Sequence, residues 1–382
     1  MHSAGRIRQK ILFFRQGGFS HINDRVAVQL REKFPDFDFE QIDVLQGIVK
    51  PAHAMVLRNA LQTLLEYAAD IATCRRTARE CFYRTPYFFH AVRRLIAKKF
   101  GASRTEYAFS FQTQSLYDAS IDGLPHFVLT DHTHLANTSY PVFDPTHLFP
   151  QRWIDLERTI YQRAAKTFVM GKHVRDSLIR HYGCPPERAV WVGAGGNLPE
   201  PTQPPDNDGY KNKRILFVGV DWQRKGGPQL VEAFKLVREK IPDARLAIVG
   251  CSPQIDTPNV EILGKIPLAA VSDQLRKSTL LALPSQIEPM GVNLIEAGLH
   301  RIPVVATSIG AIPDMVPEGR SGFLVAPNDI RGLADALLKL LTDPQLCREL
   351  GEHAYQFVKQ NYTWDLVGER IRKEIVAVVP IQ

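Results

Sequence analysis

The sequence predicts an α/β fold of two doubly wound domains, each built on a parallel β-sheet. A chain of 382 residues is long enough for about two domains of ~100 to 200 residues each. Short apolar segments, typical of buried strands, alternate with amphipathic segments of helical period along most of the chain. The alternation stops once, in a stretch rich in Gly, Pro, Asn and Asp at 193–213, which is the best linker candidate.

The first half alternates from its beginning. Residues 10–18 (KILFFRQGG) predict a buried strand that runs into a glycine-containing turn, and residues 21–34 predict an amphipathic helix capped by Asn23 or Asp24. The pattern continues with a strand at 37–44, a helix at 53–73, a strand with a polar end at 125–134, and alternating segments at 153–170 and 174–183.

The second half repeats the strand and helix pattern more regularly. Strands are predicted at 214–220, 244–250, 280–285 and 303–308, and helices at 228–240, 268–278, 291–300 and 329–343. Repeated βα units of this kind build a parallel sheet, and ligands bind beyond the carboxyl ends of its strands.

Composition limits the class of protein. With 45% hydrophobic and 23% charged residues the chain is typical of globular proteins. It has no apolar run of the ~18 to 20 residues that span a bilayer and no signal-peptide core near residue 1, which predicts a cytoplasmic protein. Five scattered cysteines without C-x-x-C pairing favour a reducing compartment and argue against a metal cluster.

Positive charge is concentrated in the first half, where residues 51–100 carry nine basic and three acidic residues. Within this stretch, residues 85–100 (TPYFFHAVRRLIAKKF) predict a basic amphipathic helix. Its apolar and basic side chains suggest peripheral contact with an anionic inner membrane surface; they are Phe88, Phe89, Leu95 and Ile96, and Arg93, Arg94, Lys98 and Lys99. The alternative is a helix that packs on the sheet with a solvated basic edge.

The most informative motif begins at Glu288 and ends at Glu296. These two carboxylates flank a Pro and Gly291 directly after the apolar run 280–285, so the segment predicts a strand end, a loop and a helix start. The helix start would direct unpaired N–H groups at an anion. Two acceptors beside such a dipole suit a ligand with several hydroxyls and a phosphate, which describes a nucleotide sugar.

A basic pair, Arg224 and Lys225, follows the strand at 214–220 and precedes Gly226-Gly227 and a helix. Fixed cations at such a loop can stabilise the negative charge that builds up on a departing nucleoside diphosphate. The alternative is a solvated basic pair.

Other nucleotide-binding and catalytic signatures are absent from the sequence. It has no G-x-x-x-x-G-K-[ST] loop, no zinc spacing and no G-x-S-x-G elbow, and GAGGN at 193–197 lacks the G-x-G-x-x-G spacing. A metal site on Asp131, His132 and His134 is a competing hypothesis for the end of the strand at 125–134.

The second half, from about 213 to 364, resembles the donor-binding domain of glycosyltransferase family 4, which contains retaining enzymes of the two-domain GT-B architecture. It carries FVGVDWQRKGG, AIVG, the E-x7-E run, PVVATSIGAIPDMV and SGFLVAPND in the family's order. The first half resembles the family less strongly, through Gly17-Gly18, TDH at 130–132 and LERTIYQRA at 156–164.

The resemblance implies roles for the E-x7-E segment. Glu296 would accept hydrogen bonds from the ribose hydroxyls, and Glu288 would hold hydroxyls of the transferred sugar. The backbone of Met290, Gly291 and Val292 would meet the sugar and the distal phosphate.

It also implies roles elsewhere. Lys225 would stabilise the leaving phosphate, and Arg224 would take the part of an Arg that many members carry where this chain has Val220. His132 would approach the transferred sugar, with His134 structural or on the acceptor side, and the turn at 17–18 would let the first domain approach the diphosphate.

The resemblance therefore implies a GT-B fold whose two Rossmann-like domains face across a cleft: an acceptor-binding domain at 1–195, a linker at 196–213, a donor-binding domain at 214–361 and a returning helix at 362–382. It implies transfer of a hexose from a nucleotide diphosphate sugar, UDP- or GDP-linked, to a hydroxyl acceptor without a metal or other cofactor. Two alternatives remain: another GT-B activity, such as epimerisation or phosphorolysis, or a non-catalytic nucleotide-sensing protein at the membrane surface. No module for nucleic acid is evident.

Overall fold

A computed structural model describes residues 8–201 and 209–380 of the chain. The chain divides into two compact units. The N-terminal unit contains residues 1–138, 144–192 and 364–382, and the C-terminal unit contains 139–143 and 193–363. Residues 202–208 of the predicted linker lie outside the described residues. So do residues 1–7 of the predicted first domain and residues 381–382 of the predicted returning helix.

The N-terminal unit has a six-stranded, all-parallel sheet in the order β2-β1-β3-β4-β5-β6. Its strands are β1 (Lys10–Arg15), β2 (Asp38–Asp43), β3 (Tyr107–Thr113), β4 (His126–Thr130), β5 (Lys166–Val169) and β6 (Ala189–Trp191). Its first six helices are α1 (Ile22–Lys33), α2 (His53–Ala72), α3 (Ala78–Phe82), α4 (Pro86–Phe100), α5 (Gln151–Arg163) and α6 (Lys172–Tyr182).

Two sequence-based expectations about this unit need correction. Strand β3 was not among the predicted strands, although every residue in it is buried and it pairs with both β1 and β4. Neither Asn23 nor Asp24 caps α1, because the helix begins at Ile22 and its N-cap, His21, makes no side-chain cap hydrogen bond. Asn23 lies inside the helix instead and is fully buried.

Helix α4 is the predicted basic amphipathic helix, but it does not offer the apolar surface expected of a membrane contact. Phe88, Phe89 and Ile96 are at most 1% exposed, and Leu95 is half-buried. These side chains pack in the hydrophobic cores of the N-terminal unit. The alternative interpretation is therefore correct: α4 packs within the unit and leaves a solvated basic edge.

The C-terminal unit also has a six-stranded, all-parallel sheet, in the order β12-β11-β10-β7-β8-β9. Its strands are β7 (Arg214–Val218), β8 (Arg245–Val249), β9 (Val260–Gly264), β10 (Leu280–Leu283), β11 (Val304–Thr307) and β12 (Gly322–Val325). Its helices are α7 (Gly227–Lys240), α8 (Leu268–Arg276), α9 (Val292–Leu299), α10 (Ile312–Met315), α11 (Ile330–Thr342) and α12 (Pro344–Asn361).

The strand order determines where a ligand can bind. From β7 the chain proceeds outward through β8 and β9, and then returns to the other side of β7 to form β10, β11 and β12. The order therefore reverses between β7 and β10. In open parallel sheets the crevice beyond the carboxyl ends of the strands at such a switch point is the usual ligand site.

After α12 the chain returns to the N-terminal unit as α13 (Trp364–Val376). Lys33 of α1 pairs with Asp365 at 2.5 Å and with Glu369 at 2.7 Å. Val367, Ile371 and Ile375 of α13 are buried. The last described helix is therefore part of the fold of the N-terminal unit, although more than 300 residues separate the ion-paired groups along the chain.

Candidate functional site

The predicted basic pair and the predicted carboxylate meet at the switch point of the C-terminal sheet. Lys225 follows β7, and Glu288 follows β10. Lys225 Nζ lies 2.5 Å from Glu288 Oε2, although the two residues are 63 positions apart in sequence. Both side chains are largely buried, with 12% and 5% of their area exposed. Their contact places opposite charges side by side beyond the carboxyl ends of β7 and β10, the usual ligand position in such sheets.

Two glycines after Lys225 make this contact possible. Gly226 has φ of +74°, and a Cβ built on it would lie 1.8 Å from the carbonyl oxygen of Pro284, at the end of β10. A Cβ on Gly227 would lie 2.1 Å from the Trp222 ring. A side chain at Gly226 would therefore separate the loop after β7 from the end of β10, and one at Gly227 would displace the Trp222 ring within that loop.

Glu288 is 4% exposed and is oriented by two groups. Lys225 and Ser285 Oγ, at 3.0 Å, both donate to its Oε2. Within the described part of the chain nothing donates to Oε1, so that oxygen can accept a hydrogen bond from a ligand hydroxyl. Ser285 was not predicted as a site residue, although its place at the end of an apolar run, three residues before Glu288, is a usable signal.

Arg224 contributes a second cation to the same loop. Its Nη1 donates to the carbonyl oxygen of Ile287 at 2.8 Å and lies 3.9 Å from Glu288 Oε2. Asp221 lies 3.4 Å from its Nε. Val220, at the position where many family 4 members carry Arg, is 74% exposed. The guanidinium beside Glu288 in this chain is therefore that of Arg224.

Helix α9 begins beside this pair, as the E-x7-E spacing predicts. Gly291 is its N-cap with φ of +80°, and Val292 is its first residue. Met290 is 4% exposed. A Cβ on Gly310 would lie 1.9 Å from the carbonyl oxygen of Glu288, so the absence of a side chain at Gly310 lets its backbone pack closely against the loop that carries Glu288. In the first turn of α9 the Leu294 N–H donates to the Gly291 carbonyl at 2.9 Å, whereas the N–H groups of Val292 and Asn293 have no acceptor within the helix and favour an anion.

Glu296 lies in the middle of α9 and is 6% exposed. Its Oε1 accepts the backbone N–H of Asn197 at 3.0 Å. A Cβ on Gly196 would lie 3.4 Å from its side chain. The first residues of the predicted linker therefore contact Glu296 directly, a contact that the linker prediction did not anticipate.

Gly17 and Gly18 lie in the N-terminal unit, in the loop that follows β1 at the switch point of its own sheet. Gly17 has φ of +59°. Asn23 Nδ2 donates to the Gly17 carbonyl at 2.7 Å, and Thr113 Oγ1 donates to Asn23 Oδ1 at 2.6 Å. The buried Asn23 therefore fixes the turn against the end of β3.

His132 and His134 follow β4 in the same unit. The His132 backbone N–H donates to Thr130 Oγ1 at 3.3 Å. His134 Nε2 accepts the backbone N–H of Phe149 at 2.7 Å, and burial lowers the pKa of His134 to about 3. That nitrogen already has a partner, so it is not available as a metal ligand. No group of three His, Cys, Asp or Glu side chains across the described ranges is arranged to hold a metal ion.

A small polar cavity of about 180 Å³ lies beside these histidines. Its lining includes Arg84, Gln114, Asn137 and Trp153. Glu157 also lines it: this residue is 2% exposed and accepts hydrogen bonds from Tyr161 Oη at 2.9 Å, from Tyr182 Oη and from the His134 backbone N–H at 3.1 Å. Burial raises the pKa of Glu157. Arg84 and Glu157 were not predicted as site residues, although Glu157 lies in the segment LERTIYQRA at 156–164 that resembles the family.

The predicted site residues thus form two groups. The C-terminal unit brings together Lys225, Arg224 and Glu288 beside the start of α9, with Glu296 farther along that helix. The N-terminal unit holds the turn at 17–18 and His132, which follow strands of the same parallel sheet.

Comparison with known proteins supports the donor-domain resemblance. Residues 212–343 match a family model described as "Glycosyl transferases group 1". The chain is 31% identical over 153 residues to 2-deoxystreptamine N-acetyl-D-glucosaminyltransferase from Niallia circulans, which covers 37% of this chain and 39% of that protein. It is 27% identical over 254 residues to alpha-maltose-1-phosphate synthase from Mycolicibacterium smegmatis, covering 57% of this chain and 64% of that protein. The chain thus matches less than two thirds of the length of either relative.

Solved structures match over nearly the whole chain at lower identity. Sucrose-phosphate synthase from Thermosynechococcus elongatus aligns with a TM-score of 0.69 and 16% identity over 97% of this chain and 99% of that one. HepE from Anabaena, crystallised with UDP, aligns with a TM-score of 0.67 and 17% identity over 97% and 100%. These structures share the fold of two doubly wound units. Together, the comparisons show that the chain has the GT-B fold and that its residues 212–343 resemble the glycosyl transferases group 1 family.

Proposed function

We propose that this protein is a retaining glycosyltransferase that moves a hexose from a nucleotide diphosphate sugar to an acceptor hydroxyl. The observation that carries the proposal is the contact of Lys225 with Glu288 at the switch point of the C-terminal sheet, beside the start of α9. The named relatives are a glycosyltransferase and a sugar phosphate synthase, and HepE was crystallised with UDP-glucose. These names support a nucleotide sugar as the donor.

The charges suit departure of a nucleoside diphosphate. Breaking the bond between sugar and phosphate leaves negative charge on the departing oxygen, and cations already in place stabilise it most effectively. Lys225, Arg224 and the first-turn N–H groups of α9 supply that environment, so we propose that no divalent metal is needed. The Lys225 ammonium lies against Glu288, and a bound phosphate would share it.

Glu288 and Glu296 have separate proposed roles. Oε1 of Glu288 would accept from hydroxyls of the transferred sugar, while Glu296 would accept from the ribose. The acceptor would bind the N-terminal unit in the cavity beside His132, whose lining offers hydrogen-bonding groups of both kinds together with the Trp153 ring. In the sequence of the first half no carboxylate stands out as a nucleophile, so retention would follow from attack on the face that the phosphate leaves.

The direct test is a panel of UDP, GDP, ADP and their common sugar conjugates in a thermal-shift assay. A nucleotide at one hundred times its Kd stabilises the state that binds it by about 2.7 kcal/mol. For a unit of this size that corresponds to a rise in Tm of about 5 to 10 °C.

Lys235→Ala is a matched control for Lys225→Ala, since Lys235 also pairs with a carboxylate, Glu232 at 2.7 Å, but on the exposed surface of α7. Lys235→Ala should transfer sugar normally and Lys225→Ala should not. If no nucleotide raises Tm, or if a nucleotide sugar is isomerised or cleaved equally well without any acceptor, the proposal fails.

A further inference from the structure

The outward face of α2 in the N-terminal unit carries a stripe of exposed leucines. Leu57, Leu61, Leu64 and Leu65 are 73%, 59%, 58% and 71% exposed. Their spacing of three and four residues places them on one side of the helix. We call these four residues the leucine face. Over the described ranges, the other exposed leucine is Leu268 of α8, at 40%.

The opposite face of α2 is attached to the unit through buried polar groups and through side chains in the hydrophobic cores, among them Met55 and the Tyr67 ring. Asn59 Nδ2 donates to the Phe82 carbonyl at 2.8 Å, and Tyr67 Oη donates to the Arg84 carbonyl at 2.8 Å. Thr85 Oγ1 donates to Asn59 Oδ1. Asn59, Thr63 and Tyr67 are at most 4% exposed. The leucines are therefore not needed to hold α2 on the unit, and a contiguous exposed apolar surface of this kind marks a contact with a partner.

The charges on α2 are divided between its two sides. Its two acidic residues are turned away from solvent and paired: Glu66 lies 2.9 Å from Arg152, and Asp70 pairs with Arg75 and Arg76. Each of these carboxylates has less than a fifth of its side chain exposed. Arg58, which is exposed, lies next to the leucine face. The outward side of the helix thus combines leucines with a cation and has no carboxylate.

We propose that the leucine face docks the protein on an anionic membrane surface, with α2 lying in the plane of the interface. An apolar stripe bordered by positive charge is the pattern of interfacial helices. The surrounding segment 51–100 carries nine basic and three acidic residues, and anionic lipid headgroups complement that excess. Among the described residues, no helix is long and apolar enough to cross a bilayer.

Charge favours a membrane over a second copy of this chain. A two-fold dimer through the same face would bring together two leucine faces and two Arg58 side chains. Neither partner would supply a carboxylate from its outward face to balance them, because Glu66 and Asp70 point inward. Anionic lipid supplies the missing negative charge.

Vesicle flotation of the full-length protein tests this proposal without any substrate, so its outcome is independent of the proposed transferase activity. The vesicles are phosphatidylcholine alone or phosphatidylcholine mixed with phosphatidylglycerol. The test variant is Leu57→Gln with Leu61→Gln, and the matched control is Leu268→Gln, an exposed leucine on a helix of the C-terminal unit. All three leucines are exposed, so both variants should fold.

The parent and Leu268→Gln should float with the mixed vesicles much more than with phosphatidylcholine alone. The double variant should bind about tenfold less or weaker still, because even partial burial of two leucine side chains changes partitioning by at least that factor. Equal binding of the parent to both vesicle types, or no binding, would overturn the proposal. So would parent-like flotation of the double variant. Dimerisation of the parent in sedimentation velocity that the double variant abolishes, without vesicle binding, would assign the face to a second copy instead.

Discussion

Gly226→Ala should strain the backbone of the loop that positions Lys225 in the candidate donor site, and should lower the stability of the C-terminal unit. Gly226 has φ of +74°, a conformation that costs an L-residue about 1 to 2 kcal/mol. The new Cβ would also lie 1.8 Å from the carbonyl oxygen of Pro284. Because this neighbour is backbone rather than the end of a flexible side chain, the loop must move, which adds about 1 to 3 kcal/mol of overpacking cost. The total loss of stability should be about 2 to 5 kcal/mol.

Gly319→Ala separates the two contributions. Gly319 lies in the same unit with φ of +69°, but a Cβ there would meet nothing within 4 Å. It should therefore cost only the backbone strain, about 1 to 2 kcal/mol. In a unit of this size, each kcal/mol lowers Tm by about 2 to 4 °C. Differential scanning calorimetry of both variants, with and without the nucleotide that gives the largest thermal shift, measures the difference.

The two variants should also differ in ligand response. Movement of the loop at Gly226 displaces Lys225 from Glu288, so Gly226→Ala should lose most of the nucleotide-dependent rise in Tm, while Gly319→Ala keeps it. The reasoning is refuted if Gly226→Ala melts as Gly319→Ala does and retains the parent's nucleotide response. That result would mean that the close approach of the loop to Pro284 is not required.

Three further predictions concern chemistry, metal and pH. Lys225→Ala should lower kcat by ~100 to 1,000-fold, because it removes a donor to charge that develops in the transition state. Glu296→Ala should mainly weaken binding of the donor sugar and of free nucleotide, whereas Glu288→Gln should mainly weaken binding of the nucleotide sugar. Steady-state kinetics with calorimetric titration distinguish these effects, and normal turnover by Lys225→Ala would disprove the assignment. Transfer should persist in excess EDTA, and a loss that Mg²⁺ restores would contradict the metal-independent mechanism. Burial lowers the pKa of His126 to about 4, below the ~6.5 of an exposed histidine. The unfolded chain therefore binds the proton first, and the free energy of unfolding should fall as pH drops from ~6.5 towards 4. Tm measured across this range should show the decline, and a His126→Gln variant with an equally steep decline would exclude His126 as its cause.

Much of the fold follows from local pattern. The alternation of apolar and amphipathic segments predicted the βα units of the second half, and its strands β7, β8, β10 and β11 lie within the predicted segments. The E-x7-E spacing placed Glu288 in a loop and Glu296 inside a helix, where the structure has them. These features depend on residues close together in sequence, so the sequence alone contains the signal.

Local sequence pattern does not predict where a strand lies within its sheet. Strand β3 was not predicted, yet it lies between β1 and β4 in the N-terminal sheet. Asn23 looks like a helix cap by its residue type, but its side chain is bonded to Gly17 and Thr113. Such contacts join distant segments, and no periodicity records which segment will become the neighbour.

Local pattern is sufficient to predict two helices in the basic region, at 53–73 and 85–100, and basic and acidic groups after strands of the second half. Which of these helices turns its apolar side to the core depends on packing, which the sequence does not show. Helix α4 buries Phe88 and Phe89, whereas α2 is held through Asn59 and Tyr67 and leaves its leucines in solvent. The contact of Lys225 with Glu288, 63 residues away, depends on packing as well. The physical reason is the same in both cases: periodicity defines a face, but burial and ion pairing depend on what packs against that face.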